Sequence, residues 1–279
     1  TAGAGVALLV GAIGEVLAGW CRRTVPAGEP PGSGVWLAGA AAGLEAGKSV
    51  LIEKPVCVRR EEADRLAAAA ASVAPGRLMV AENYYYKPVL GLLRRLIAAG
   101  GVGVPRQVAV RKLSWQRATG WKQELGALLE GGIHFVALVS ALAEACGHER
   151  PVRVRAEFPG RIAGRPERRS RTVLEYPAGM DARIDYGWDA KTLLGGLFQH
   201  SHVRGTSGRL VFESNGLYAV GLQSGRPRLL WPGWRDLMGY QAMTADFLAC
   251  LDDPSRTPWS TLARARRDLE IVLAAYAPG

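Results

Sequence analysis

Glu130 and His134 stand four residues apart in residues 126–134 (GALLEGGIH), a spacing that puts a carboxylate and an imidazole on one helix face. Such a pair sets the tautomer of the ring and tunes it for proton transfer near neutral pH. Gly131 and Gly132 between them leave room for a ligand to approach the backbone closely. A lone histidine on an apolar helix is equally at home as a structural residue, so the pair by itself leaves both readings open. Lys54 follows the apolar run 49–52 in Glu53-Lys54-Pro55. At the carboxyl end of a parallel strand an ammonium group points at the ligand crevice, and a cis proline after it would fix its direction. A lysine in a surface turn is the plain alternative. Residues 81–88 (AENYYYKP) bring Asn83, Tyr84, Tyr85, Tyr86 and Lys87 to the end of another apolar run. That set of hydroxyl, amide and ammonium groups suits a polyhydroxylated or aromatic ligand, with at least one tyrosine expected in the core.

The elements that must hold these residues fall into two patterns. Over the first 90 residues, short apolar runs alternate with helical stretches, the mark of an α/β layer. Val35, Trp36 and Leu37 read as a strand, residues 40–46 as a helix closed by Gly47, and residues 49–52 as a strand. A helix is expected over 61–72, a strand over 78–81 and a helix over 90–99. From about residue 105 the period becomes two. Val154 and Ala156 alternate with Arg153, Arg155 and Glu157, and Ala182, Ile184 and Tyr186 alternate with Arg183 and Asp185. Residues 209–213 run into the turn Ser214-Asn215-Gly216, a hairpin signal, and helices are expected over 241–251 and 261–276. The expected fold is an N-terminal Rossmann-like parallel sheet followed by a domain with a large, mostly antiparallel sheet. The expected boundaries are 1–88, closed by the helix 261–276, and 89–260.

Composition narrows the function classes. The chain has 279 residues, 48% hydrophobic and 22% charged, with a formal net charge of +10. The arginines are scattered, and the densest run, 161–171, reads as a loop, which argues against a nucleic-acid surface. Cys21, Cys57, Cys146 and Cys250 form no CxxC pair, so neither a zinc site nor a disulfide framework is expected. Each long apolar run is interrupted by Gly, Arg or Glu, and no membrane span is expected. The opening segment carries Glu15 and no basic leader, which argues for a cytoplasmic protein rather than a secreted one.

Taken in order, AGLEAGKSVLIEKPV, AENYYYKP and GALLEGGIHFV, with the closing helices, resemble the glucose–fructose oxidoreductase/inositol dehydrogenase (Gfo/Idh/MocA) family from about residue 35 onward. The resemblance implies a Rossmann domain binding NAD or NADP and a sheet domain that holds a small-molecule substrate and often the contact in a homodimer or homotetramer. It implies Lys54, Glu130 and His134 as catalytic residues. Lys54 would bind the substrate oxygen, His134 would move its proton, and Glu130 would orient the ring or grip a hydroxyl. Glu53 and Pro55 would flank the cofactor beside Lys54. The family more often has aspartate at the position of Glu130 and an acid at that of Ala137.

The front of the chain departs from the family, with only 53 residues before Lys54. Gly3 and Gly5 are the candidates for the phosphate-binding turn, with residues 6–20 as the helix after it. The expected activity is an NAD(P)-dependent oxidoreductase acting on a sugar-like or cyclic hydroxy or keto substrate. The alternative is an isomerase, lyase or cyclase without a cofactor on the same fold. Trp115, Gln116, Trp121 and Lys122 are further substrate-contact candidates. His200 and His202 share one strand face, but no third ligand accompanies them and no metal is expected.

Overall fold

The computed structural model describes residues 6–9, 34–117, 119, 123–223 and 227–277. Contacts divide the chain into two units, Thr1–Glu82 with Gln241–Glu270, and Asn83–Tyr240 with Ile271–Gly279. Residues 83–88 therefore group with the second unit and 241–260 with the first, unlike the boundaries drawn from sequence.

Among the described residues the first unit holds three parallel strands in the order β1 (Val6–Leu9), β2 (Ser49–Glu53) and β3 (Leu78–Ala81). Every residue of β2 and β3 is buried, which explains why both read as continuous apolar runs instead of alternating ones. Val35 to Leu37 do not form a strand: they belong to α1 (Gly34–Glu45). Trp36, Leu37, Ala40 and Leu44 are buried there, and their three-to-four spacing overrides the local strand preference of Val35 and Trp36. Gly47 ends this helix at φ +68°, where its N–H reaches the Leu44 carbonyl at 2.9 Å. α2 (Arg60–Ala70) starts on a capping box in which the buried Glu62 accepts from the Arg59 and Val58 N–H groups at 3.1 and 3.2 Å. The C-terminal part of the unit ties on through Val80 N–H to the Ser260 carbonyl at 3.0 Å and an Arg266–Asp64 ion pair.

The placement of β1 corrects the reading of the front. Residues 6–9 are a strand paired in parallel with β2, not the start of a helix. Ligand-facing turns of a parallel sheet follow the carboxyl ends of its strands. Gly3 and Gly5, the candidates for the phosphate-binding turn, precede β1 in sequence and lie outside the described residues.

The second unit is built on α3 (Pro88–Ala98) and an eight-stranded sheet. Its strands are β4 (Pro105–Leu113), β5 (Arg153–Glu157), β6 (Arg169–Glu175), β7 (Asp181–Gly187), β8 (His200–Gly205), β9 (Gly208–Glu213), β10 (Ala219–Gln223) and β11 (Arg228–Leu230). Their order is β11-β10-β9-β8-β4-β7-β6-β5, and only the β4–β7 pair is parallel. Between β4 and β5 comes α4 (Ile133–Ala145), preceded by a π-helical turn over Leu128–Gly132. The inner sheet face, with Val108, Val110, Leu174, Ala182 and Ile184, is buried, and α4 contributes Phe135, Val136, Leu138, Val139 and Leu142 to the core. The 18 residues Leu128–Ala145 are apolar enough to pass for a membrane span by composition, contrary to the sequence expectation, but 78% of them are buried in the fold. Apolarity all round marks a core helix here. The last two helices are α5 (Tyr240–Asp252) and α6 (Leu262–Tyr276), close to their expected bounds.

Candidate active site

In the first unit the chemistry collects at the carboxyl ends of β2 and β3. Glu53 is the last residue of β2 and lies in register with Ala81, so Glu82 follows on the neighbouring strand. Both carboxyl groups are buried. Burial pushes the Glu53 pKa up to about 7, with the nearby Glu82 adding to the rise and Lys54 opposing it. One Glu53 carboxylate oxygen accepts the Lys54 N–H at 3.2 Å. Lys54 itself is half-buried, its peptide bond to Pro55 is cis, and Pro55 is buried behind it. This strand end has donors and a near-neutral acid, which fit the reactive end of a nicotinamide dinucleotide.

In the second unit the π-helical turn and α4 carry Glu130 and His134. Both are half-buried, while Leu128, Leu129, Gly131, Gly132, Ile133 and Phe135 around them are buried. The pair is thus partly open to solvent among enclosed neighbours. Tyr84 stacks on the His134 ring with centroids 4.6 Å apart and an interplanar angle of 17°. The same Tyr84 ring meets Phe135 edge-on at 5.1 Å. Gly131 is required by its neighbour, since a side chain there would overlap the Tyr186 hydroxyl. Burial raises the Tyr186 pKa, and the charge of Glu130 raises it further, so this phenol stays protonated beside the carboxylate.

A second carboxylate fixes where the site helix begins. Glu167 is 3% exposed and accepts the Leu128 N–H at 2.9 Å and the Tyr276 hydroxyl at 2.6 Å. Its own carbonyl accepts the Ala127 N–H at 2.8 Å. Two of the donors that a helix start leaves without partners are thus satisfied by one residue from the loop before β6. The fit is close enough that any side chain at Gly126 would strike the Glu167 carboxylate.

The tyrosine motif divides between core and site. Asn83, Tyr84 and Tyr85 are buried and Tyr86 is half-buried. The Asn83 amide donates to the Met238 carbonyl at 2.7 Å, so this contact holds a loop of the unit in place. Trp115 is 57% exposed, and its backbone bridges to Asp189. Trp121 and Lys122 lie outside the described residues. His200 and His202 are on the opposite sheet face from α4: His202 is in register with Ala109, which alternates with the buried Val108 and Val110. His200 pairs with the Tyr218 hydroxyl at 2.6 Å and His202 with Gln107 at 3.3 Å. No group of three or more metal-ligating side chains occurs among the described residues. Burial pushes Cys57 up to about 12 and Cys146 up to about 11, which keeps both as thiols at neutral pH. Glu167, Tyr186 and the buried state of Lys87 escape sequence reasoning. The sequence places Lys87 among the ligand-facing groups of residues 81–88, not in the interior.

No protein-family model matches the chain. It is 32% identical over 172 residues to mouse trans-1,2-dihydrobenzene-1,2-diol dehydrogenase, a match that covers 59% of this chain and 48% of that protein. The chain thus spans about half the length of this curated relative. Among solved structures it is similar to an inositol dehydrogenase homologue from Azotobacter vinelandii, complexed with NADH and myo-inositol. That likeness has a TM-score of 0.73 at 18% identity over 88% of this chain and 73% of the other. It is also similar to a UDP-N-acetylglucosamine 3-dehydrogenase from Acidithiobacillus ferrooxidans, with a TM-score of 0.73 at 21% identity over 93% and 83%. The chain has the fold of these oxidoreductases, a small parallel sheet and a large mixed one, in agreement with the family resemblance of its motifs.

Proposed function

We propose that the chain is an NAD(P)-dependent oxidoreductase acting on a sugar-like or cyclic hydroxy or keto substrate. The observation that carries this is that Glu130 and His134, four residues apart, are half-buried among buried neighbours, with the imidazole stacked on Tyr84. Support comes from the mouse dihydrodiol dehydrogenase relative and from the Azotobacter structure with NADH and myo-inositol. Bound nicotinamide supplies the hydride acceptor or donor. In oxidation His134 takes the hydroxyl proton as the carbinol carbon gives up its hydride, and Glu130 holds the ring or a neighbouring hydroxyl. Lys54 donates a hydrogen bond to the substrate oxygen, and its charge favours the developing alkoxide. The open face of the large sheet, with Arg111, Arg171, Arg183, Asp181 and Asp185, is the proposed contact between copies in a homodimer or homotetramer. Free, buried Cys57 and Cys250 support a reducing compartment such as the cytoplasm.

Thermal unfolding with NADH and with NADPH tests the reading. A nucleotide that binds only the folded state adds about 2.7 kcal/mol at 100 times its dissociation constant, so one of the two must raise Tm clearly. No rise with either, together with turnover of a polyol or ketone without a nicotinamide absorbance change, would favour the cofactor-independent isomerase, lyase or cyclase.

A further inference from the structure

His134 is half-buried, a setting in which an imidazole ordinarily samples several rotamers. Catalysis at its nitrogens needs a single ring plane. The stack on Tyr84, at 4.6 Å and 17°, favours one such plane. Tyr84 is held in turn from two sides. Its edge-on contact with Phe135 links it to the buried Tyr186, whose ring lies 5.3 Å from that of Phe135. The Lys87 ammonium lies 4.6 Å from the centre of the Tyr84 ring.

Lys87 is not a surface lysine. It is 2% exposed, its ammonium lies 3.6 Å from the Met238 sulfur, and Gly216 and Gly239 lie close to its stem and its backbone respectively. A side chain at Gly216 would come within 3.6 Å of the Lys87 Cε, and one at Gly239 within 2.8 Å of its backbone nitrogen. Burying an ammonium is costly, and a leucine would fill such a space without that cost. Its seat by the Tyr84 ring gives the ammonium a contact that an apolar chain lacks, because a cation is drawn to an aromatic face.

We propose that Tyr84 and Lys87 are positioning residues for His134: the buried ammonium pins the tyrosine ring, and the tyrosine ring fixes the imidazole plane. The inference rests on the reading of His134 as the proton-transfer residue. It is tested in the full chain with histidine rings labelled for NMR, the His134 resonance being identified by its absence in His134→Asn. In the wild type that resonance is shifted upfield by the ring it stacks on. Tyr84→Phe keeps the ring and is expected to keep the shift. Tyr84→Leu is expected to lose the shift and to lower kcat about tenfold while KM changes little. Lys87→Met is expected to lie between them, and Lys87→Arg to restore most of the loss. A wild-type His134 resonance without the shift overturns the proposal, as does a Tyr84→Leu variant that loses the shift but keeps kcat. The shift present in a protein without nicotinamide-dependent turnover overturns the proposed reaction and supports the clamp. The two failures are thereby separate.

Discussion

Glu53 shows how a strand end converts an ordinary acid into one that titrates near neutrality. Its pKa of about 7 in the fold exceeds the ordinary 4.5 because burial disfavours the charged form. The folded state therefore holds a proton that the unfolded state has lost between those values, and stability falls as pH rises through that window. Glu53→Gln removes this term. Denaturant titrations are expected to show the variant more stable than the wild type at pH 8 by up to roughly 3 kcal/mol, with the gap closing below about pH 5. A constant gap at all pH values would mean that Glu53 is ionised in the fold. At the site helix, His134→Asn is expected to lower kcat by about a hundredfold or more while the Tm rise with nucleotide stays unchanged, the signature of lost proton transfer. The spacing of Glu130 and His134 and the place of Lys54 after a strand were legible in the sequence because both follow from local periodicity. The burial of Lys87 was not, since nothing near it in the chain announces the loops around Gly216 and Gly239 that cover it.

The site helix depends on residues far from it in sequence. Glu167 caps its start, so Glu167→Ala should leave the buried Leu128 N–H without a partner and cost about 1–3 kcal/mol in chemical denaturation. Glu167→Gln, which still accepts a hydrogen bond, should lose much less. Gly131→Ala drives a methyl group into the Tyr186 hydroxyl and should cost about 1–3 kcal/mol. Tyr186→Phe in the same chain should return part of that, and strictly additive losses would show that the hydroxyl is not the obstacle. In the sequence Glu167 reads as part of a solvated arginine-rich loop because five arginines surround it in the run 161–171. A single carboxylate among them carries no periodic signal, and its partner Tyr276 is 109 residues away. The misreading of residues 35–37 as a strand has a related cause, since three apolar residues fit either element and only the buried face of the whole helix decides between them.

At the scale of the whole molecule the open sheet face bears on assembly. The registers place Arg111, Asp185 and Arg171 side by side on neighbouring strands, with Asp185 bound chiefly by Arg169 at 2.9 Å. Light scattering is expected to give the mass of a dimer or tetramer, and Arg171→Glu to lower it; a wild-type monomer would remove this face from the proposal. The sequence by itself determined the two patterns of the fold, the motifs that resemble an oxidoreductase family and the residues at the strand and helix ends. These are legible because hydrophobic periodicity and turn chemistry act over a few neighbouring residues. Only the tertiary structure decided that residues 6–9 pair as a strand with β2, that Asn83 holds a loop, and that His200 and His202 face away from His134. It also decided that one tyrosine of three stacks on the imidazole. Each of these depends on contacts between segments distant along the chain, set by strand register and by the close packing of a filled interior, which no local window of sequence contains.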